Sequence, residues 1–342
     1  ARLKELKKKG LLKESEEEQP TRHAHTHHTS HAPKKQEGLL GSIKYIYEHH
    51  YKTLLWIPFI ILLLAFAQIG YQTATTGDFI NKGVSLKGGA TLTIPGTGEV
   101  NIDALETSLT SKFPDYDIAI RTLTAAGSVD GLIIDADLTD QDQIDAFAES
   151  VASETGVAKE IFGIESVGSS LGESFFKETI ISLLLAFLFM AGVVFLYFRI
   201  PAPSAAVVLA AVSDIVVTVA VINMMGMKIS TAGIAALLML VGYSVDTDIL
   251  LSTRVLKRKE GTVLDGVYNA MKTGMTMTLT TLVAVSVGFF VSQSEVLKQI
   301  MAIVLIGLVI DVINTWIQNA GLLRWYLEYA DKKKATRMEA KQ

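Results

Sequence analysis

The 342-residue sequence contains no cysteine. Disulfides, thiolate-bound metals and cysteine nucleophiles are therefore excluded. All seven histidines fall at or before His50. No Gly-x-x-x-x-Gly-Lys-Ser/Thr loop occurs, so the P-loop way of holding a nucleotide phosphate is missing. Lysine and arginine are absent from the depth of every apolar block. The net charge of -4 is small, and for a chain of this kind the location of charge matters more than its sum.

What the sequence has instead is apolar residues, 49% of the chain, gathered into six blocks. A bilayer crossing takes ~20 such residues, so the pattern is that of a polytopic helical membrane protein. Residues 1–42 are polar and rich in Lys, Glu, His and Thr, and too poor in apolar surface to fold alone; they read as a disordered arm. The run His23, His25, His27, His28 and His31 is assigned to that arm and not to a metal site. Tyr45, Ile46 and Tyr47 point to a short interfacial helix ahead of the first span, expected over 53–69 with Trp56 at the interface.

Between 70 and 175 the periodicity changes. Strands are expected at Val84–Ile94, Tyr116–Thr122, Gly131–Asp137 and near Lys159–Val167, with helices at Ile102–Phe113 and Asp140–Thr155. Asn101 and Thr139 or Asp140 are the helix start signals, and Gly88-Gly89 and Pro95-Gly96 mark turns. The order is βαββαβ, the ferredoxin-like α+β arrangement. Five spans follow within 176–323, at Thr179–Phe198, Ala205–Met225, Ile229–Ser252, Thr273–Val291 and Leu297–Leu323, then a tail over 324–342. Arg199, the loop with Arg254, Lys257, Arg258, Lys259 and Lys272, and the tail with Arg324, Lys332, Lys333, Lys334, Arg337 and Lys341 fall on one side of a six-span topology. By the positive-inside rule that side is the cytoplasm. Both termini are then cytoplasmic, the protein is multi-pass in the cytoplasmic membrane, and the α+β domain is extracytoplasmic.

Four carboxylates lie inside the spans: Asp214, Asp246, Asp248 and Asp311. A carboxylate at membrane depth costs roughly 2.5–3.5 kcal/mol, so such residues face protein or water and have a task. Asp246 and Asp248 are about 200° apart on a helix and face different ways. Asp248 shares its stripe with Ser244 and Ser252, the better candidate for a wet path; Asp246 shares one with Gly242 and Leu250. The functional reading is reversible protonation, with the four aspartates as relay candidates. The plain alternative is carboxyls that lock helices together. Thr273 opens span five with Thr276, Thr278, Thr280 and Thr281, whose hydroxyls either bond back to their own helix or line a water path.

Several blocks together resemble the SecF family of protein-export membrane proteins, in the resistance–nodulation–division superfamily, and its archaeal branch most of all. They are Gly83-Val84-Ser85-Leu86-Lys87-Gly88-Gly89-Ala90-Thr91, Glu165-Ser166-Val167-Gly168-Ser169-Ser170-Leu171-Gly172, Ser213-Asp214, and Gly242-Tyr243-Ser244-Val245-Asp246-Thr247-Asp248 with Thr253-Arg254-Val255. The resemblance covers about residues 50–325. The chain departs from the bacterial pattern at Thr247, where that pattern has an aspartate, so either Asp246 or Asp248 inherits the role. It departs again at Thr273, with Lys272 beside it, where an arginine stands, and at Ser85, where an aspartate is common.

The resemblance implies an accessory subunit of the Sec translocase. It would pair with SecD, work beside a SecY-type translocon, engage translocating polypeptide outside the membrane and draw on the proton motive force. Surrounding lipid is then the only other partner, with no nucleic acid, cofactor, metal or enzymatic activity. Three other readings compete: half of a small-molecule or lipid exporter of the same superfamily, a scaffold without ion coupling, and an intramembrane aspartyl protease. The last lacks its Gly-x-Gly-Asp, since the chain reads Gly242-Tyr243-Ser244-Val245-Asp246.

Overall fold

The structure, a computed structural model, describes residues 39–97, 100–125, 128–257, 261–292 and 294–339. The histidine run, Arg258, Lys259 and Lys341 lie outside the described residues. The chain divides into a unit of residues 1–44 and a unit of residues 45–342. Of the first unit, only the start of a helix is described.

Helix α1 (Leu39–His49) begins inside the stretch read as an arm. A short helix α2 (Tyr51–Leu54) leads into α3 (Trp56–Thr76). The first membrane-length helix thus runs seven residues past Ile69, where the apolar run stops. Its polar last turns stay helical because nothing breaks them until Gly77, which takes a left-handed φ of 81° at the C-cap.

The α+β region follows the element order α4 (Val84–Lys87), β1 (Gly89–Pro95), α5 (Ile102–Lys112), β2 (Ile118–Ala125), β3 (Ser128–Ala136), α6 (Gln141–Thr155) and β4 (Gly163–Val167). The expected strand at Val84–Ile94 is split: its first half is one helical turn, and Gly88 and Gly89, with φ of 92° and 128°, redirect the chain into β1. A 3₁₀ turn, Lys159–Ile161, likewise replaces the start of the last expected strand. The sheet is antiparallel in the order β2-β3-β1-β4. Alternation puts Ala90, Leu92, Ile94, Leu132 and Ile134 on the face covered by Leu105, Leu109, Ile144 and Phe147 of the two helices. Asn101 and Asp140 cap those helices with their side-chain oxygens.

The remaining helices are α7 (Ser169–Phe198), α8 (Pro201–Met224), α9 (Thr231–Leu256), α10 (Val263–Val291), α11 (Glu295–Ile313) and α12 (Ala320–Glu339). Among the described residues six helical segments are long and apolar enough to cross a membrane. Most extend beyond the apolar blocks, since caps and not hydropathy end them: α10 starts at a Thr262–Asp265 capping box, ten residues before Thr273. The residues read as a tail from 324 continue α12. Helices α8 and α9 are the most buried, and their small residues Ala206, Ala210, Ala211, Gly233 and Ala236 let neighbours approach closely. The α+β region is tied to this bundle at the turn between α8 and α9. Gly83 donates to the Ile229 carbonyl (2.8 Å), Ile229 to the Asn81 carbonyl (2.7 Å), and the Asn223 amide to the Phe79 carbonyl (3.0 Å).

Candidate functional site

The sixth membrane-length segment widens at its centre. Between α11 and α12, residues Asn314–Asn319 form a π-helical turn. The Ala320 N–H bonds the Thr315 carbonyl five residues back, and also the Ile317 carbonyl, so Trp316 loses its α-helical donor. Such turns recur at functional sites because they re-aim side chains. Here Asn314, Thr315, Gln318 and Asn319 all point into the bundle and are fully buried.

They meet three buried carboxylates from three helices: Asp214 of α8, Asp248 of α9 and Asp311 of α11. Asp214 accepts from Ser244 Oγ at 2.5 Å and from Asn314 Nδ2 at 2.7 Å. Asp248 Oδ1 accepts from Asn319 Nδ2 at 2.7 Å. Thr315 Oγ1 stands 3.0 Å from Asp248 Oδ1 and 3.0 Å from Asp311 Oδ1. Thr247 Oγ1 is 3.4 Å from Asp311 Oδ2, and Gln318 Nε2 donates to Ser213 Oγ at 3.1 Å. Among the described residues, the side-chain donors to the three carboxylates are uncharged alcohols and amides.

The Thr315 contacts carry chemical content. A hydroxyl has one proton to donate. It can serve one of the two carboxylates, and the second 3.0 Å contact becomes a hydrogen bond only if the other carboxyl itself carries a proton. The two roles exchange if the protonated carboxyl passes its proton to the threonine oxygen while the hydroxyl proton passes to the other carboxylate, so that one proton is moved and the hydroxyl is restored. Acceptors remain over: among the described residues Asp248 Oδ2, Ser252 Oγ, Gln318 Oε1 and Asn319 Oδ1 are buried without a protein partner. Among the same residues no three His, Cys, Asp or Glu converge as a metal site.

The structure therefore separates the sequence candidates. Asp214, Asp248, Asp311 and Ser244 come together, and Ser252 is buried on the Asp248 stripe. Asp246 does not join them: it is exposed on the opposite face of α9, as the 200° offset dictates. Thr273 is also exposed and bonds back to the Asn269 carbonyl at 3.3 Å, so it lines no path within this chain. Sequence reading by charge alone missed Thr247, Asn314, Thr315, Gln318 and Asn319. The signal was present, since 311, 314, 315, 318 and 319 form one polar stripe in an otherwise apolar segment.

Residues 147–329 match the family model described as protein export membrane protein SecD/SecF, C-terminal. A protein-export membrane protein SecF from Methanocaldococcus jannaschii is 37% identical over 299 residues, covering 83% of this chain and 98% of that one. Its counterpart from Pyrococcus furiosus is 35% identical over 306 residues, covering 88% and 99%. Among solved structures, a SecDF from Thermus, described as a translocon-associated membrane protein, aligns over 81% of this chain with a TM-score of 0.66 at 20% identity. The present chain spans 38% of that SecDF chain.

Proposed function

Since the chain belongs to the SecF family of protein-export membrane proteins, we propose that it is the SecF half of a SecD–SecF pair, using proton flow through Asp214, Asp248 and Asp311 to assist export. The observation that carries the coupling is the Thr315 hydroxyl held 3.0 Å from both Asp248 and Asp311. Burying ionised carboxylates without a counter-charge costs several kcal/mol each. With neutral partners only among the described residues, the cluster is best kept neutral by protons on its carboxyls, and the bridging hydroxyl suits a proton that moves between them. One charge crossing 100 mV releases about 2.3 kcal/mol, enough to bias a conformational step.

Partner and topology follow from exposed features. Ala235, Met239, Gly242, Tyr243 and Asp246 line an exposed stripe of α9. A carboxylate facing lipid there is unfavourable, and a SecD helix bearing a hydrogen-bond donor would satisfy it. The βαββαβ order and the strand order β2-β3-β1-β4 favour a ferredoxin-like domain. The basic residues Arg199, Arg254, Lys257 and Lys272 favour a protein of the cytoplasmic membrane with cytoplasmic termini and an extracytoplasmic domain over 70–175. In this reading the domain contacts translocating polypeptide beside a SecY-type translocon.

The test is export into vesicles from cells whose only copy is wild type, Thr315→Val or Asp246→Asn, with SecD co-purification measured for each. The reading expects Thr315→Val to keep SecD and lose the export gained from the proton motive force, and Asp246→Asn to weaken SecD association. Intact association and undiminished export in both variants would refute it.

A further inference from the structure

The π-turn leaves the Trp316 carbonyl without its α-helical donor, and a side chain from the start of the chain supplies one. Tyr47 Oη donates to Trp316 O at 2.8 Å, across 269 positions of sequence. Burial pushes the Tyr47 phenol well above its ordinary range, so it remains a donor throughout physiological pH.

Tyr47 is itself held in place. Arg324 of α12, itself buried, donates Nη1 to the Tyr47 carbonyl (2.9 Å) and Nη2 to the Glu48 carbonyl (2.8 Å), two of the last carbonyls of α1. Helix C-termini leave such carbonyls without internal partners, and a cation there is favourable. The same guanidinium lies 4.0 Å over the Tyr51 ring, and Tyr268 Oη donates to Glu48 Oε1 at 3.0 Å. The end of α1 therefore grips the last segment twice, at Trp316 in the wide turn and at Arg324 beyond it. The Trp316 indole is also fixed: a Cβ added at Gly274 would fall 2.5 Å from its Cζ2.

We propose that Tyr47 is a positioning residue for the intramembrane carboxylates, because its hydroxyl holds span six in the wide turn that presents Thr315 and Asn319 to Asp248. An α-helical turn would give the Trp316 carbonyl its own donor at Ala320 and rotate the residues before and after it relative to one another. Thr315 and Asn319, whose contacts with Asp248 both depend on the present register, would not both keep them. The helix ahead of the first span thereby becomes a handle on the cluster: whatever lifts α1 from α12 releases the turn. The consequence for export rests on the proposed proton relay, whereas the latch itself does not.

The test compares Tyr47→Phe with Tyr268→Phe in the full chain in lipid nanodiscs. The first removes only the hydroxyl on Trp316; the second removes the hydroxyl on Glu48 and leaves Trp316 untouched. Amide hydrogen exchange across 314–321 reads the turn. Infrared carboxyl bands, assigned to Asp248 by difference against Asp248→Asn, read the cluster. The expected result is an exchange increase of about tenfold, the factor for one hydrogen bond of about 1.4 kcal/mol, and displaced Asp248 bands, in Tyr47→Phe alone. Unchanged exchange, or increased exchange with unmoved Asp248 bands, overturns the proposal, as does an equal response in Tyr268→Phe. If both readouts move and export does not, the latch stands and the relay reading fails.

Discussion

Asn319 donates its side-chain amide to Oδ1 of Asp248 across 2.7 Å, joining the wide turn of the last span to the fourth. Both residues are fully buried. Removing one partner of a buried hydrogen bond leaves the other unsatisfied, at a cost of about 1–3 kcal/mol. Asn319→Ala is expected to lower the thermal unfolding midpoint of the detergent-solubilised protein by that amount of stability. In a double-mutant cycle with Asp248→Asn the two changes should be non-additive, because they share one interaction. Additive losses would show that the contact contributes nothing specific.

Gly274 should not tolerate a methyl group. A Cβ there would lie 2.5 Å from Trp316 Cζ2 and 3.1 Å from Thr247 Cγ2. The indole is a flat, packed group with little room to yield, so Gly274→Ala is expected to cost about 1–3 kcal/mol as overpacking and to shift the emission of Trp316. Unaltered thermal stability and emission would count against this packing.

The junction of the α+β region with α7 makes a sharper comparison. Gly88 has φ 92°, and a Cβ on it would sit 2.4 Å from the Ser169 Cα; Gly156 has φ 71° and faces open space. Gly156→Ala meets only the cost of a left-handed backbone, about 1–2 kcal/mol, whereas Gly88, at φ 92° and ψ 161°, sits in a region essentially reserved for glycine, and its alanine variant must also move a helix terminus. Limited proteolysis should show Gly88→Ala cut readily between 70 and 175 and Gly156→Ala resistant. Equal resistance would contradict the close approach.

On the surface of the α+β region, Lys112 Nζ stands 2.7 Å from Glu154 Oε1, with Ser108 Oγ at 2.8 Å. The lysine first, and then the hydroxyl, hold the Glu154 carboxyl below its ordinary range. A carboxyl depressed in the folded state adds stability that is present above its unfolded pKa and is lost as pH falls through the folded value. Carboxyl NMR is expected to find Glu154 titrating below about 4.3, and Lys112→Met to raise it toward that value while Ser108 still holds part of the depression. A midpoint that ignores Lys112→Met would sink the assignment.

The bundle was largely legible in the sequence because hydropathy and length are one-dimensional properties. Apolar runs locate helices well, but they do not end them: Gly77, the Thr262–Asp265 box and Arg199 at φ 55° do. In the site, the angular offset of Asp246 and Asp248 could be read from helical periodicity, and the structure puts the two on opposite faces of α9. Two things were out of reach. The π-turn depends on which donor reaches the Trp316 carbonyl, and that donor comes from Tyr47, remote in sequence. The partners Asn314, Thr315 and Asn319 carry no charge, so intramembrane ionisable residues alone do not reveal them, although it is they that join the carboxylates.

The most direct test of the central claim is proton movement itself. The chain would be purified with the proposed SecD partner, reconstituted in vesicles loaded with a pH-sensitive dye, and challenged with a proton gradient. Wild type, Thr315→Val and the double variant Asp248→Asn/Asp311→Asn would be compared at equal complex content. The account predicts dye acidification in wild type, a strong reduction in Thr315→Val and none above empty vesicles in the double variant. Equal acidification in all three would show that protons do not pass through this cluster, and would leave the buried carboxylates as ties between helices.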